Sequence, residues 1–298
     1  MSKVKQQHYI PRMYLKRFTD ENNRFTVWKV KDDEALFRQV PKDFASINYF
    51  YDTNNKELRK ALSSNIHHFP NLKGKIDFDD EQFIEKFLSR IENNTEKVLN
   101  ELNENFEAIH NEENMVQLIV FFHLLTYRTE KYHNVMNDIN NVTITHIEKT
   151  KMSQFTNEIN SDAKTTQLTS MMDLGSLCKT ALMFKLNYDC YVASVSGVTK
   201  LLISDNPTQG IMQGFNDICI PISSENALIF RVKNKSAPLI SKDMPVEGKI
   251  ELSEQSVMSY NAMQLSYANR FIFGNKDSIE KLKDFCDSFG GYRSIFKC

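Results

Sequence analysis

The polar residues best suited to chemistry lie in two segments that are far apart in the chain. His8 precedes Pro11, which is well placed as the first residue of a helix, and free backbone N–H groups at such a start favour an anion. A neutral imidazole there could carry a proton or bind a metal. Arg12 and Arg17 on the same helix could clamp a phosphate. The alternative is a capping or surface histidine on a basic helix.

The second segment is the turn Ser204-Asp205-Asn206-Pro207, which follows a predicted apolar strand. Asp205 could act as a general base or bind a hard divalent metal such as Mg²⁺, and Asn206 could add a carbonyl ligand. The same residues also form a good β-turn, in which the Asp side chain accepts hydrogen bonds from nearby backbone. The residues alone leave both interpretations open.

Further polar residues border the apolar faces of predicted helices. Arg128 follows a strongly apolar stretch, so its guanidinium could clamp a carboxylate or phosphate, or could pair with Glu92 of the preceding helix. Glu92 could instead join Asp205 on a metal. His123 lies within the apolar stretch, which favours a hydrogen-bonded core histidine. Asn261 lies on another apolar helix and needs a partner if it is buried.

Composition excludes several classes of protein. With 298 residues, 41% of them hydrophobic, the chain can bury a substantial core, so intrinsic disorder is not expected. Its 37 basic and 38 acidic residues give a net charge of -1, so the overall charge does not indicate a polyanion partner. A local basic patch is still compatible with this balance. No Walker, GxGxxG, HExxH or GxSxG motif is present.

The cysteines and the apolar runs indicate a cytoplasmic protein without a membrane partner. The five cysteines show no paired spacing and are expected to be reduced thiols. The first residues lack the apolar core of a signal peptide. The longest apolar run, Leu118 to Leu125, includes His123 and is too short to span a bilayer.

These residues must be positioned by an α+β fold with a long-helix middle, predicted as one domain over residues 1–298. The helical middle covers about 79–186, and a β-rich part covers about 187–298. Apolar periodicity predicts a short helix from Pro11, long helices over 79–107, from 111 towards 147 and over 163–186, and closing helices over 253–268 and 276–289. Alternation predicts a hairpin over 24–31 and 35–40, a small antiparallel sheet from 188–195, 199–203, 218–222 and 227–232, and a strand at 270–273.

The polar segments together resemble a known family. The opening His8-Tyr9-Ile10-Pro11-Arg12-Met13-Tyr14-Leu15-Lys16-Arg17-Phe18, the helix carrying Glu92, the Arg128 border and the strand ending Ser204-Asp205-Asn206-Pro207 are similar to domain of unknown function 4238. The resemblance covers nearly the whole chain and implies one integral domain. It also implies that His8, Arg128, Ser204, Asp205, Asn206 and Asn261 belong to one site. At the position of Arg12, the family typically has a polar residue, often Gln.

Two functions follow as expectations. The first is an enzyme acting on a phosphate-bearing substrate, as a nuclease-like or nucleotide-directed effector in bacterial defence. In it, Asp205 binds a metal with Glu92, His8 is the acid or base, and Arg12, Arg17 and Arg128 hold phosphate. The defence role rests on analogy alone. The alternative is a non-catalytic module in which the same polar residues bind a small anionic ligand or a partner. A third interpretation is structural, with His8 and the Asp205 turn tying the N-terminal segment to the sheet.

Overall fold

The computed structural model describes residues 3–66, 77, 79–149, 163–208, 211, 214–234 and 239–288. The fold is α+β, as the sequence predicts. Its α-helices, α1 to α9 in chain order, are Arg12–Leu15, Lys56–Ile66, Phe83–Glu104, Glu112–Tyr127, Glu130–Lys149, Ala163–Met171, Leu174–Asn187, Glu254–Tyr267 and Lys276–Ser288. Its strands, β1 to β10, are Gln6–His8, Phe25–Lys29, Glu34–Gln39, Ser46–Asn48, Tyr188–Ser194, Ile203–Ser204, Asp217–Pro221, Asn226–Val232, Lys249–Glu251 and Phe271–Gly274.

The N-terminal segment is inserted into the core. Strand β1 pairs with β4, and α1 continues into a 3₁₀ turn, Lys16–Phe18. The Tyr14 side chain is fully buried, its ring packs edge-on against Phe121 of α4, and its hydroxyl donates a hydrogen bond to the Pro221 carbonyl at the end of β7. One side chain therefore joins the first helix, the helical middle and a C-terminal strand.

The hairpin and the C-terminal strands share a sheet. The order of this sheet is β3-β2-β10-β6, with all pairs antiparallel, so the predicted hairpin lies beside a strand from the far end of the chain. The second four-stranded sheet has the order β7-β8-β5-β9, in which β9 runs parallel to β5.

The prediction of a strand over 199–203 that joins the small C-terminal sheet is wrong. Only Ile203–Ser204 forms a strand, and it pairs with β10 in the hairpin sheet. The preceding backbone pairs with no strand among the described residues: the N–H of Leu201 donates to the Ser224 carbonyl in the turn before β8 at 2.9 Å, and two further N–H groups donate to side chains. The N–H of Lys200 donates to Ser278 Oγ at 2.7 Å, and the N–H of Leu202 donates to Asn261 Oδ1 at 2.8 Å.

Two predicted long helices are each broken in two. The helix predicted from 111 towards 147 is α4 followed by α5, and Thr129 accepts the Tyr132 N–H at the start of α5. The helix predicted over 163–186 is α6 followed by α7, and Asp173 Oδ1 accepts the Gly175 N–H at 3.0 Å. Side chains that cap a new helix start explain both breaks. The predicted end of the last helix, at residue 289, lies outside the described residues.

The predicted helical core is confirmed. Of the six side chains expected there, Val120 is half-buried, and the buried ones are Phe87, Ile91, Leu118, Phe122 and Leu125. His123 is fully buried and its Nδ1 lies 3.2 Å from Thr180 Oγ1, as predicted for a core histidine. No helix in the described part of the chain is long and apolar enough to cross a membrane.

Replacing Tyr14 with Phe tests the join between the N-terminal helix and the C-terminal sheet. The Tyr14→Phe variant keeps the ring but leaves the buried Pro221 carbonyl without this donor, so we expect the free energy of unfolding to fall by about 1–3 kcal/mol. Urea unfolding measures it. The control is Tyr49→Phe, whose ring is 43% exposed and which should change stability by less than about 0.5 kcal/mol. Equal stability of the two variants would contradict the proposed join.

Candidate functional site

The guanidinium of Arg128 is the centre of a buried polar network. Arg128 is 2% exposed and donates hydrogen bonds to Glu92 Oε1 at 2.7 Å, to the Tyr51 hydroxyl at 3.1 Å and to the His8 carbonyl at 2.6 Å. Of the two roles left open by the sequence, the ion pair with Glu92 is the one observed. We call these four residues the Arg128 network; it joins β1, the segment after β4, α3 and the end of α4.

Glu85 lies near this network and was not singled out from the sequence. Its Oε2 is buried and has no hydrogen-bond partner among the described residues. Burial raises the pKa of Glu85 to about 7; the positive charge of Arg128 opposes this rise, and the negative charges of Glu92 and Asp52 add to it. The only signal in the sequence is its spacing of seven residues from Glu92, which places both carboxyl groups on one face of α3.

Asp205 forms bonds to backbone. It is 1% exposed, its Oδ1 accepts the Asn269 N–H at 2.8 Å, and its Oδ2 accepts the Arg270 N–H at 2.9 Å. Burial raises the pKa of Asp205 to about 6, while these hydrogen bonds oppose the rise. The carboxyl group therefore holds the turn after β6 against the chain entering β10.

The neighbours of Asp205 are held in the same way. Gln264 Oε1 accepts hydrogen bonds from the Ser204 N–H at 2.9 Å and from the Ser204 hydroxyl at 3.0 Å. Asn206 Nδ2 donates to a carbonyl at the end of α8 at 3.4 Å. Asn261 accepts one backbone N–H and donates to the Lys200 carbonyl at 2.9 Å. The expectation that a buried Asn261 finds partners is confirmed, and the partners are backbone.

Tyr9, the residue after His8, is close enough to Asp205 to be affected by its charge. Burial raises the pKa of the Tyr9 phenol, and the charges of Asp205 and Glu130 raise it further, so the carboxyl group of Asp205 lies near this ring. The His8 imidazole instead places Nε2 3.3 Å from the Lys42 carbonyl. Burial lowers the pKa of His8 to about 4, with Arg12 and Arg128 acting in the same direction, so the ring is neutral at pH 7.

The other predicted phosphate and metal ligands are separated. Arg17 donates to the carbonyls of Ile222 and Leu99 at 2.7 and 2.9 Å, whereas Arg12 is exposed at the start of α1. Glu92 pairs with Arg128, and the catalytic and metal-binding roles of these residues stay predictions. Across the described ranges, no group of three or more His, Cys, Asp or Glu residues is placed to hold a metal.

A different part of the molecule concentrates positive charge around an open space. A cleft of about 510 Å³ lies between the 3₁₀ turn, the β2–β3 hairpin and the start of α9. Its cationic lining residues are Arg24, Arg38, Lys200 and Lys276. Hydroxyl or amide groups come from Thr19, Thr26, Ser224 and Asn275, aromatic rings come from Phe18, Phe25 and Phe37, and Asp20 adds a carboxylate. We call this space the basic cleft.

A β-bulge directs two of the lining residues into the basic cleft. Phe25 pairs with Gln39 and Val27 pairs with Leu36, so one residue of β2 is opposite two residues of β3, Phe37 and Arg38. Both bulge residues are exposed, and Arg38 has a left-handed φ of 55°. An L side chain in this conformation costs about 1–3 kcal/mol, and such strain often marks functional positions. Bulges beside sites re-aim side chains in this way.

The start of α9 completes the wall of the basic cleft. Asn275 Oδ1 accepts the Ser278 N–H at 2.9 Å and caps the helix, whose N-terminal dipole adds positive potential. Lys200 Nζ pairs with Glu225 at 2.8 Å, and Lys276 pairs with Glu280 at 3.4 Å. The Arg38 guanidinium has no ion-pair or hydrogen-bond partner in the part of the chain that the structure describes. Sequence reasoning missed this cleft because its cations come from distant segments.

An apolar cleft lies elsewhere, between α4, α7 and β5. Its volume is about 830 Å³, and apolar side chains such as Ile119 and Phe184 dominate its lining. Lys185 of α7 pairs with Glu112 of α4 at 2.8 Å on its border. Both charged side chains are largely exposed, so this pair contributes little to stability.

Replacing Asp205 with Ala distinguishes a structural role, in which the carboxylate accepts backbone hydrogen bonds, from a catalytic role. We expect Asp205→Ala to lower the free energy of unfolding by about 1–3 kcal/mol, because two partly buried N–H groups lose their buried acceptor. His8→Ala is the comparison, since its ring contacts one carbonyl, and it should cost less than about 1 kcal/mol. Urea unfolding measures both. An Asp205→Ala variant as stable as the parent would argue for a catalytic Asp205.

The raised pKa of Glu85 predicts a pH-dependent stability. A carboxyl group whose pKa is about 7 when folded and about 4 when unfolded binds more protons in the folded state between these values. Its stabilising contribution is present below pH 4 and is lost as pH rises to 7. Relative to Glu85→Gln, the parent should therefore lose about 1–3 kcal/mol between pH 5 and pH 8. Parallel pH dependence in denaturant titrations of the two proteins would contradict the assignment.

Comparison with known proteins gives a family and no reaction. The family model described as "Protein of unknown function (DUF4238)" matches residues 6–278. No curated protein and no solved structure matches the chain. The matched range begins in β1 and ends in the first turn of α9, so it includes the Arg128 network, the Asp205 turn and the lining of the basic cleft. The chain belongs to the DUF4238 family.

Proposed function

We propose that this protein binds a phosphate-bearing ligand and that the basic cleft is the binding site. The observation that carries the proposal is the convergence of four cations on one space of about 510 Å³, a volume typical of small-molecule sites. In a chain with a net charge of -1, such a concentration of one sign is local rather than general. Anionic ligands are attracted to a cleft of this kind.

The arginines supply the geometry that phosphate recognition requires. Arg24 lies at the start of β2 and donates to the Arg38 carbonyl at 3.2 Å, which holds its guanidinium beside the bulge. A planar guanidinium can bind two phosphate oxygens at once. The N–H groups of the Arg38 guanidinium have no partner among the described residues, so they can donate to a ligand. The Ser224 hydroxyl and the Asn275 amide on the same lining can donate further hydrogen bonds.

Binding is favoured over hydrolysis at this site. Asp20 is the carboxylate among the described lining residues, and its Oδ1 already accepts the N–H groups of Asn22 and Arg24 at 2.9 and 2.8 Å. The proposal is thus closest to the non-catalytic alternative, with a phosphate-bearing ligand. A nuclease-like reaction, a role in bacterial defence and a cytoplasmic location remain predictions from the sequence.

Titration calorimetry with pyrophosphate at low salt tests the proposed site. We expect Arg38→Gln to weaken pyrophosphate binding by about fivefold or more, and Arg24→Gln in addition to weaken it further, because each removes a charge-assisted donor. Binding should weaken as salt is added. The matched control is Arg12→Gln, which removes an exposed arginine outside the cleft and should leave the affinity unchanged. If only Arg12→Gln lost pyrophosphate binding, the binding site would be at the N-terminal helix, and the proposal would be overturned.

A further inference from the structure

We infer that the ligand of the basic cleft is a free nucleoside di- or triphosphate whose base stacks against Phe37; this inference rests on the proposed function. The phosphate groups would face the cations, and the base would occupy the aromatic side of the same cleft. Two observations lead from a phosphate to a nucleotide, and a third favours a free nucleotide over a nucleic acid.

The first observation is that one aromatic side chain of the basic cleft, Phe37, is exposed to solvent. Phe37 is 50% exposed, although Phe18 and Phe25 of the same cleft are only 2% and 4% exposed. Phe37 and Arg38 share the bulge, and both line the basic cleft. Stacking on an exposed aromatic ring is sequence-tolerant and can strengthen binding by one or two orders of magnitude per base.

The second observation is a set of polar groups suited to a base or a ribose. In the described part of the chain, the Asn275 side-chain NH₂ has no hydrogen-bond partner, since only its Oδ1 caps α9. The Ser224 hydroxyl also has none there; the hydrogen bonds of Ser224 to Arg17 and Leu201 are made by its backbone. Free donors and acceptors beside a ring can bind the edges of a base or the hydroxyls of a sugar.

The third observation is the extent of the positive charge. Of the cations that line the basic cleft, Lys200 and Lys276 already have acidic partners. In the described part of the chain, Arg24 and Arg38 have none, and this limited charge suits one short phosphate chain. Polynucleotide-binding proteins carry a basic stripe along a face, whereas the cations described here converge on one cleft of about 510 Å³. Lys276 Nζ lies 5.5 Å from the centre of the Phe37 ring, so charge and ring are adjacent within the cleft.

Comparing ligands in the intact protein tests this inference separately from phosphate binding. The probes are the four common ribonucleoside diphosphates, pyrophosphate and a single-stranded oligonucleotide, each measured by titration calorimetry. We expect at least one nucleoside diphosphate to bind about tenfold or more tightly than pyrophosphate. Phe37→Leu should reduce that advantage to less than about threefold while leaving pyrophosphate affinity unchanged, and Phe37→Trp should retain it.

The control and the contrary outcomes are specific. Tyr49→Leu removes an aromatic ring that is 43% exposed outside the cleft and should affect neither ligand. Equal affinity for pyrophosphate and every nucleotide, or equal weakening of both by Phe37→Leu, would overturn the nucleotide inference and leave phosphate binding intact. Tighter binding of the oligonucleotide would overturn the choice of a free nucleotide. Failure of pyrophosphate and nucleotides alike would overturn the proposed function itself.

Discussion

A buried cation must be paired, and the fold around Arg128 meets this requirement. Removing a guanidinium from water is costly unless its donors are satisfied, and breaking a buried pair can cost about 3–5 kcal/mol. Arg128 satisfies its donors with Glu92, the Tyr51 hydroxyl and the His8 carbonyl. These partners lie in segments up to 120 residues apart, so the network fixes how the first strand, the long helices and the chain after β4 meet.

The same principle explains why the polar residues recognised from sequence make so many bonds to backbone. Asp205 accepts hydrogen bonds from two backbone N–H groups just before β10. Asn261 accepts the Leu202 N–H just before β6, where no neighbouring strand in the described part of the chain is present to do so. Such roles demand a specific residue type as strictly as catalysis does. A motif can therefore be specific to a family and still serve the architecture. The proposed ligand site lies where charges remain near an open space, in the basic cleft.

Predictions from the sequence were correct where the residue pattern within a single helix or hairpin determines the structure. The amphipathic α3, the hairpin and the core histidine His123 follow from periodicity and from one helix face, and they are found as predicted. The helix breaks at Thr129 and Asp173 depend on single capping side chains within sequences that can also continue a helix. The strand predicted over 199–203 does not form as predicted, because Lys200 and Leu202 donate to side chains of distant helices and Leu201 donates to a turn carbonyl.

The candidate site was harder to predict for the same reason. The pairing of Arg128 with Glu92 was one of two alternatives, because opposite charges on neighbouring helices suggest a contact without requiring it. The basic cleft was not found from the sequence, since Lys200 and Lys276 lie far along the chain from the β2–β3 hairpin that they approach in the fold. The break in alternation at Phe37 and Arg38 was the one local sign of a bulge.

The central claim is that the Arg128 network and the Asp205 turn maintain the fold, while phosphate binds in the basic cleft. Amide hydrogen exchange with and without pyrophosphate, followed by peptide-resolved mass spectrometry, tests it most directly. We expect slower exchange in peptides covering 19–26, 36–39 and 275–278, with no change at 8–12 or 204–206. Protection confined to 8–12 and 204–206 would contradict it and would place the ligand at the residues that the sequence first suggested.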